Sequence, residues 1–196
     1  MQMLRLVLTF QFFFTLFIAE AQIAEPEDHL TFKGVPIDGT LDEYVAEMKE
    51  VGFHLESVEN GLALFYGDFA AYKDCIIGVS TLDGKDLVSK VTVIFPEMTT
   101  WSDIESNYNN LKELLTIKYG EPDRFEEKFE TIYIQGDDQG KMRALRTENC
   151  KYWSSFELKN GTIQLSMEHF NYPCVMLAYF DKINTEYIRQ KALEDL

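Results

Sequence analysis

The sequence predicts an α+β fold of two halves, each running from a helix into an antiparallel meander, with helices packed on the sheet and a last helix at the C-terminus. Apolar residues recur at helical spacing in the segment that opens each half, and with two-residue alternation in the short segments that follow. Asparagine-glycine dipeptides, which favour tight turns, separate strands at Asn60-Gly61 and Asn160-Gly161. The helix-then-strands order therefore occurs twice, although no residue identity between the halves is visible.

The first 21 residues have the pattern of a secretory signal peptide. Arg5 precedes an apolar run, Leu6 to Ile18, and Ala19 and Ala21 frame a small-residue cleavage site. The run is shorter than the roughly 20 residues of a membrane-spanning helix. We therefore expect export to a periplasmic or extracellular location, with no stable membrane insertion once the signal peptide (1–21) is removed.

The mature chain, 22–196, has the length of a single α+β domain, or of two tightly joined halves, 30–96 and 97–196. The full sequence has 18 Lys and Arg against 33 Asp and Glu, a net charge of −15, and the signal peptide carries one residue of each sign. No basic cluster occurs, so we expect no nucleic acid partner. An acidic surface of this kind keeps an exported protein soluble.

A capping box opens the helix of the first half. Thr40 and Glu43 have the spacing at which a hydroxyl and a carboxylate satisfy unpaired backbone donors, and Gly52 is placed to end the helix. The predicted buried stripe consists of Leu41, Tyr44, Val45, Met48 and Val51. A short strand at Leu30–Lys33 precedes this helix. The strands that follow it are Phe53–Val58, Leu62–Phe69, Tyr72–Thr81 and Leu87–Phe95.

The second half also opens with a capped helix. Thr100 and Asp103 have capping-box spacing, and Gly120 with Pro122 ends the helix. Its predicted buried stripe consists of Trp101, Ile104, Tyr108, Leu111, Leu114 and Leu115. The predicted elements after it are a strand near Phe129–Gln135, a short helix around Met142–Thr147, three strands within Cys150–Asp181, and a last helix from Asn184 to about Glu194.

The hairpin around Asn160-Gly161 predicts a register and two different sheet faces. A type I′ turn at this dipeptide gives the pairs Leu158 with Ile163, Phe156 with Leu165, Ser154 with Met167 and Tyr152 with His169. These pairs make one mostly apolar face. The opposite, mostly polar face holds Lys151, Trp153, Ser155, Glu157, Gln164, Ser166, Glu168 and Phe170.

Two registers are open for the third strand of this group. A four-residue offset pairs Phe170 with Cys174 and turns Val175, Leu177 and Tyr179 toward the core. A slip by one residue turns Cys174, Met176, Ala178 and Phe180 there instead. Because both faces of the strand are apolar, we expect both to be covered, and the face carrying Trp153 to be shielded at that edge.

The cysteines are Cys75, Cys150 and Cys174, an odd number in a compartment that permits disulfides. Cys150 and Cys174 begin the two strands that flank one central strand. A direct bond would have to span two strand spacings, about 9.6 Å, whereas the Cα atoms of a disulfide are rarely more than about 7 Å apart. We therefore predict that both residues are reduced and pack as small hydrophobes.

Motifs for catalysis are absent from the sequence. His29, His54 and His169 lack metal-ligand spacing, and no nucleophile elbow or phosphate-binding loop occurs, so we predict no catalytic residue, no metal site and no cofactor. One enzymatic hypothesis remains, in which Cys150 or Cys174 acts as a nucleophile beside His169. A cysteine at a strand end more often packs as a hydrophobe.

Trp153 is the best candidate for a binding residue. The hairpin register places it on the polar face near Lys151 and Phe170, and an aromatic ring among polar groups can anchor a partner or stack on a sugar. If a helix covers this face, Trp153 is a core residue instead. The candidate binding residues are therefore Trp153, Lys151 and Phe170.

Three short segments resemble small exported proteins of unknown function from Bacteroidetes bacteria. They are Phe32–Gly39 before the first helix, Lys118–Pro122 after the second, and Asp181–Asn184 before the last. The resemblance implies export and supplies no catalytic residue. The order of helix and strands is also similar to the repeats of β-lactamase-inhibitor-like proteins, which bind other proteins.

These observations predict a non-catalytic exported domain that binds a protein or a cell-envelope component. The alternative is a hydrolase acting on polysaccharide or peptidoglycan, because the 33 acidic residues offer many carboxylate pairs. Converging carboxylates in a cleft would favour the hydrolase. An open aromatic sheet face would favour binding.

Overall fold

The strands of both halves join in one antiparallel sheet, and the predicted α+β fold is confirmed. The structure is a computed structural model that describes residues 28–82, 84–130, 137–194 and 196, so the predicted signal peptide lies outside the described residues. The helices are α1 (Leu41–Glu50), α2 (Trp101–Tyr119), α3 (Asp138–Arg146) and α4 (Lys182–Glu194). The strands are β1 (Thr31–Phe32), β2 (Val35–Pro36), β3 (His54–Glu59), β4 (Leu62–Phe69), β5 (Tyr72–Thr81), β6 (Val88–Ile94), β7 (Arg124–Phe129), β8 (Cys150–Glu157), β9 (Gly161–His169) and β10 (Pro173–Asp181).

The strand order is β3-β4-β5-β6-β10-β9-β8-β7 in a sheet of eight strands. Strands β3 to β6 form the meander of the first half, and β10 to β7 form that of the second. The two meanders are joined where β6 pairs with β10, from Lys90–Phe180 to Ile94–Met176. The small hairpin of β1 and β2 is separate from this sheet.

Both predicted helix starts are present. Thr40 caps α1, and its hydroxyl and the Glu43 carboxylate satisfy each other's backbone N–H groups in a capping box. Thr100 caps α2 by accepting a hydrogen bond from the backbone N–H of Asp103 (3.2 Å). Gly52 has a φ of +96°, in the left-handed region that glycine reaches without strain, so it follows α1 as predicted.

One face of the sheet packs against the β1–β2 hairpin, α1, α2 and α3 and forms the core. Cross-strand neighbours on this face are all buried: Phe65, Ile77, Val93, Leu177, Leu165 and Ser154. The hydroxyl groups of Tyr108 on α2 and Ser154 on β8 lie 2.6 Å apart, so the polar atoms at this end of the row are paired. The predicted burial of Leu114 is wrong: its side chain is 53% exposed, because Leu111 and Leu115 occupy the core side of α2.

The prediction of a type I′ turn at Asn160-Gly161 is wrong. The dipeptide Asn60-Gly61, by contrast, has the φ values that such a turn requires, +51° and +76°. The β8–β9 ladder ends at the pair Glu157–Thr162, and the backbone N–H of Leu158 donates to the carbonyl oxygen of Gly161 (2.8 Å), so the turn lies one residue earlier than predicted. A Cβ atom at Gly161 would lie 2.4 Å from the carbonyl oxygen of Phe180. Close approach to β10 therefore explains this glycine.

This displacement of the turn by one residue shifts the β8–β9 pairing by two residues. Phe156 pairs with Ile163 and Ser154 with Leu165, in place of the predicted partners Leu165 and Met167. A shift of two residues preserves the side-chain alternation. The predicted division into a core face and an opposite face is therefore retained.

The side chains of the third strand, β10, are oriented as in the first of the two predicted registers. Val175 pairs with Met167, and Val175, Leu177 and Tyr179 are buried on the core face. The predicted pairing of Phe170 with Cys174 is wrong, since Cys174 pairs with Glu168. Because Pro173 pairs with His169, the connection is 170–172, which has the predicted length of three residues but begins one residue earlier.

Three element boundaries also differ from prediction. β7 spans Arg124–Phe129, ahead of the predicted Phe129–Gln135, most of which lies outside the described residues. α3 begins at Asp138, before the predicted Met142. Asn184 is inside α4: its backbone N–H donates to Oδ1 of Asp181 (3.0 Å), so Asp181 satisfies the start of that helix.

Asp181 is a fully buried carboxylate that connects the N-terminal segment to the end of β10. Its Oδ2 accepts a hydrogen bond from the backbone N–H of Leu30 (2.9 Å), and its Oδ1 accepts one from Asn184. The imidazole of His29 lies 3.3 Å from Asp181 and 3.4 Å from Asp38. Residues about 150 positions apart in sequence are thus held by one side chain.

We predict that Asp181→Ala lowers the free energy of unfolding by about 2–4 kcal/mol, because it leaves buried N–H donors without an acceptor. Urea denaturation measures the change. Glu47→Ala, at an exposed position on α1, is the matched control and should stay within about 0.5 kcal/mol of the parent. Equal stability of the two variants would contradict the role given to Asp181.

Glu157 connects β8 to three other elements. Its carboxylate accepts hydrogen bonds from Arg124 of β7 (2.9 Å), Thr162 of β9 (2.9 Å) and Lys182 of α4 (3.1 Å). Burial alone would raise the pKa of Glu157, but hydrogen bonds from Arg124, Lys182 and Thr162 outweigh it and lower the pKa to about 2. The ionised form is therefore favoured in the folded state.

Since the folded-state pKa of Glu157 is below its ordinary value of 4.5, its stabilisation is present above that value and is lost as the pH falls toward 2. We predict that Glu157→Gln lowers stability at pH 7 and flattens the dependence of stability on pH between about pH 5 and pH 2. Urea unfolding at a series of pH values measures this, with Glu47→Gln as control. Parallel profiles for Glu157→Gln and the parent would refute the prediction.

Candidate functional site

The sheet face opposite the core is left uncovered by the described helices. The first three helices pack on the core face, and α4 buries only Asn184. On the open face Tyr66 is 42% and Leu62 38% exposed, and Met176 is partly exposed. The expectation that this face is shielded is therefore wrong for Tyr66, Leu62 and Met176, whereas Cys174 and Ala178 of β10, on the same face, are buried.

A row of cross-strand neighbours crosses the open face from one sheet edge to the other. In strand order the row is His54, Tyr66, Ile76, Ile94, Met176, Ser166, Trp153 and Glu126. Its centre is apolar and aromatic rings lie toward both ends. We call this row, together with Leu62 and Leu64 beside it, the open-face stripe.

Trp153 lies near the β7 end of the open-face stripe and is partly buried. Its indole N–H donates to Oε2 of Glu126 on β7 (3.3 Å). Glu126 also pairs with Lys128, and the hydrogen bonds from Lys128 and then Trp153 lower the pKa of the Glu126 carboxyl. The indole is thus oriented by a polar contact on the neighbouring strand, with no described helix above it.

The other two candidate binding residues lie in different surroundings. Lys151 is exposed on β8, and its ammonium forms an ion pair with Glu130, which raises the pKa of Lys151. Phe170 follows β9 in the connection to β10 and is 56% exposed. Lys151 and Trp153 line one cavity, which does not include Phe170.

The cavity arises because β8 and β9 separate. Their ladder stops at the pair Trp153–Ser166, although β8 extends back to Cys150 and β9 extends to His169. Beyond that point β8 still pairs with β7 and β9 still pairs with β10. Tyr152 packs edge-on against Trp101 of α2 (5.2 Å between ring centroids), a contact that holds β8 on the α2 side of the opening.

The opening, which we call the β8–β9 slot, has a volume of about 300 Å³, at the lower end of the range for small-ligand sites. Its lining residues are Leu145, Glu148, Cys150, Lys151, Tyr152, Trp153, Ser166, Met167, Glu168 and His169. Side chains from both faces of the sheet contribute, so the slot reaches into the sheet itself. Glu148 has a φ of +58° just before β8, a backbone conformation that is uncommon outside glycine.

The Cys–His hypothesis gains little from this geometry. Cys150 and His169 line the same slot even though the predicted pairing of Tyr152 with His169 is absent, but burial raises the pKa of the Cys150 thiol to about 12. Burial also raises the pKa of Cys174 to about 12. Thiols with such pKa values are almost entirely protonated at neutral pH and are poor nucleophiles.

Cys150 and Cys174 are free and buried, in agreement with their predicted reduced state, and Cys75 is also free and buried. Among the described residues, no three His, Cys, Asp or Glu side chains come together in an arrangement that could hold a metal ion. Over the same part of the chain, no helix is both long and apolar enough to cross a membrane.

Comparison of the chain with protein-family models, curated proteins and solved structures found no significant match.

The slot could not be predicted from the sequence, since it depends on where a ladder stops. Trp153, Lys151 and Glu168 all lie on the predicted polar face, whereas Glu148 precedes the predicted strand. The position of Glu148 two residues before a strand that carries Trp153 is the only sequence signal for it. Glu126, on the neighbouring strand β7, is the hydrogen-bond partner of the Trp153 indole.

We predict that none of the native cysteines reacts appreciably with a thiol reagent at pH 8 in the folded protein, because all three are buried and their pKa values are raised to between about 11 and about 12. All should react after unfolding in urea. Ser106→Cys, at an exposed position on α2, is the positive control and should label rapidly. Fast labelling of Cys150 in the parent would revive the nucleophile hypothesis.

Proposed function

We propose that this protein is an exported, non-catalytic binding domain whose open-face stripe contacts a protein or a cell-envelope component. The observation that carries the proposal is the uncovered sheet face. A sheet in a solvated protein ordinarily presents polar residues on a free face, whereas this face has an apolar centre. Exposed apolar patches bounded by polar groups are typical of interaction sites.

The composition of the stripe supports contact with a partner. Tyr and Trp combine a large apolar surface with a polar group and are enriched at interfaces, and both are present here as Tyr66 and Trp153. Polar and charged residues of β7 and β9 border the apolar centre, among them Glu126, Gln164 and Glu168. This arrangement resembles an apolar interface core with a polar rim.

The alternative, hydrolysis of polysaccharide or peptidoglycan, has weaker support. The buried thiols of Cys150 and Cys174 have raised pKa values. The described carboxylates that line the slot have no feature that would make one of them a general acid and another a general base. Release of reducing ends or amino groups from polysaccharide or peptidoglycan by the purified protein would establish this alternative.

Affinity capture from a cell-envelope extract tests the binding proposal. Tyr66→Glu places a charge on the stripe at a position 42% exposed, and Ile117→Glu makes the same change in charge on α2 at a position 76% exposed. We expect components retained by the parent and by Ile117→Glu to be lost with Tyr66→Glu, since a charge facing an apolar contact is costly to bury. Identical sets of components with all three proteins would reject the open face as the binding surface.

A further inference from the structure

The β8–β9 slot has an unpaired strand edge on either side. Within the described residues, Cys150–Tyr152 belong to a ladder only with β7, and Met167–His169 only with β10. Unpaired strand edges are sites at which an extended peptide can add by main-chain hydrogen bonds. Because β8 and β9 are antiparallel, a peptide between them would be antiparallel to one and parallel to the other.

The charges that line the slot favour a cation. Glu148 and Glu168 contribute carboxylates, and neither forms an ion pair with another described residue. The ammonium of Lys151 is already compensated by Glu130. The net charge of −15 adds a long-range attraction for basic segments.

The shape of the lining favours arginine among the cationic side chains. The Trp153 indole offers a ring face on which a planar guanidinium can stack, and carboxylates can accept its paired N–H groups. Leu145 and Met167 provide apolar surface for an aliphatic stem. The apolar surface suits the aliphatic stem of an arginine side chain, and the ring face and the carboxylates suit its guanidinium group.

We propose that the β8–β9 slot binds an extended basic segment of a partner protein, with an arginine side chain seated between Trp153 and Glu168. This inference rests on the proposed binding function and specifies its partner as a protein. It places the recognition of charge in the slot, while the open-face stripe supplies apolar contact nearby.

A peptide titration followed by amide NMR tests the inference on the whole protein. The probe is the capped peptide acetyl-Val-Thr-Arg-Thr-Val-amide, and its matched control carries norleucine in place of arginine. We expect shifts at the indole N–H of Trp153 and at the amides of residues 150–153 and 166–169. The norleucine peptide should bind about tenfold more weakly, because it loses the charge-assisted hydrogen bonds.

Variants of the lining supply the second measurement. Glu168→Gln should raise the dissociation constant of the arginine peptide about tenfold with little change in shape. Glu113→Gln, on the exposed side of α2, makes the same change in net charge and should leave the constant within about twofold. Trp153→Leu should weaken binding without altering the charge, and unchanged spectra elsewhere would show that each variant is folded.

Several outcomes would overturn the inference: no shifts at these amides, equal binding of both peptides, or equal effects of Glu168→Gln and Glu113→Gln. Binding of chitotriose at the same amides in place of the peptide would identify a saccharide site instead. The two proposals fail separately. Loss of peptide binding while Tyr66→Glu still abolishes capture would leave the proposed function standing, whereas peptide binding with no effect of Tyr66→Glu would reject the open-face stripe alone.

Discussion

The pairing of β6 with β10 is the interaction on which the rest of the architecture depends. β6 closes the first meander and β10 is the last strand of the chain, and their ladder joins two four-stranded groups into one sheet of eight. Without this ladder each group would present a further unpaired edge through the middle of the core. Unpaired edges of apolar strands are templates for aggregation. The continuous core face and the continuous open face both follow from this one pairing.

The edge strands of the sheet and its open face differ in their protection against association with other molecules. β3, at one edge, carries Glu56 and Glu59 and a register irregularity between Leu55 and Ser57, and β7, at the other, reads Arg-Phe-Glu-Glu-Lys-Phe. Charges and bulges on edge strands oppose edge-to-edge association. The open face has no comparable protection at its apolar centre. This contrast is consistent with the proposal that partners bind at the open face and in the slot rather than at the ends of the sheet.

Much of the fold could be predicted because many elements depend on residues that are close together in the sequence. The capping residues Thr40 and Thr100 depend on neighbours in sequence, and both helix starts were predicted correctly. The errors arose where distant segments decide the local structure. Gly161 resembles a turn residue but is required by its contact with β10, and Asn184 resembles a cap but is held by the buried Asp181. The slot depends on where the β8–β9 ladder ends, which no short stretch of sequence encodes.

The central position of β10 also has a consequence for biosynthesis. Domains begin to fold from the N-terminus as the chain emerges, but here the strand that joins the halves, β10, follows all the other described strands in the chain. Until Asp181 has emerged, the segment around Leu30 lacks its buried acceptor and β6 lacks a neighbour on one side. The chain therefore cannot close its native core before β10 has been synthesised. For an exported protein, as we propose this one to be, such late closure keeps the polypeptide without its native core until β10 is available.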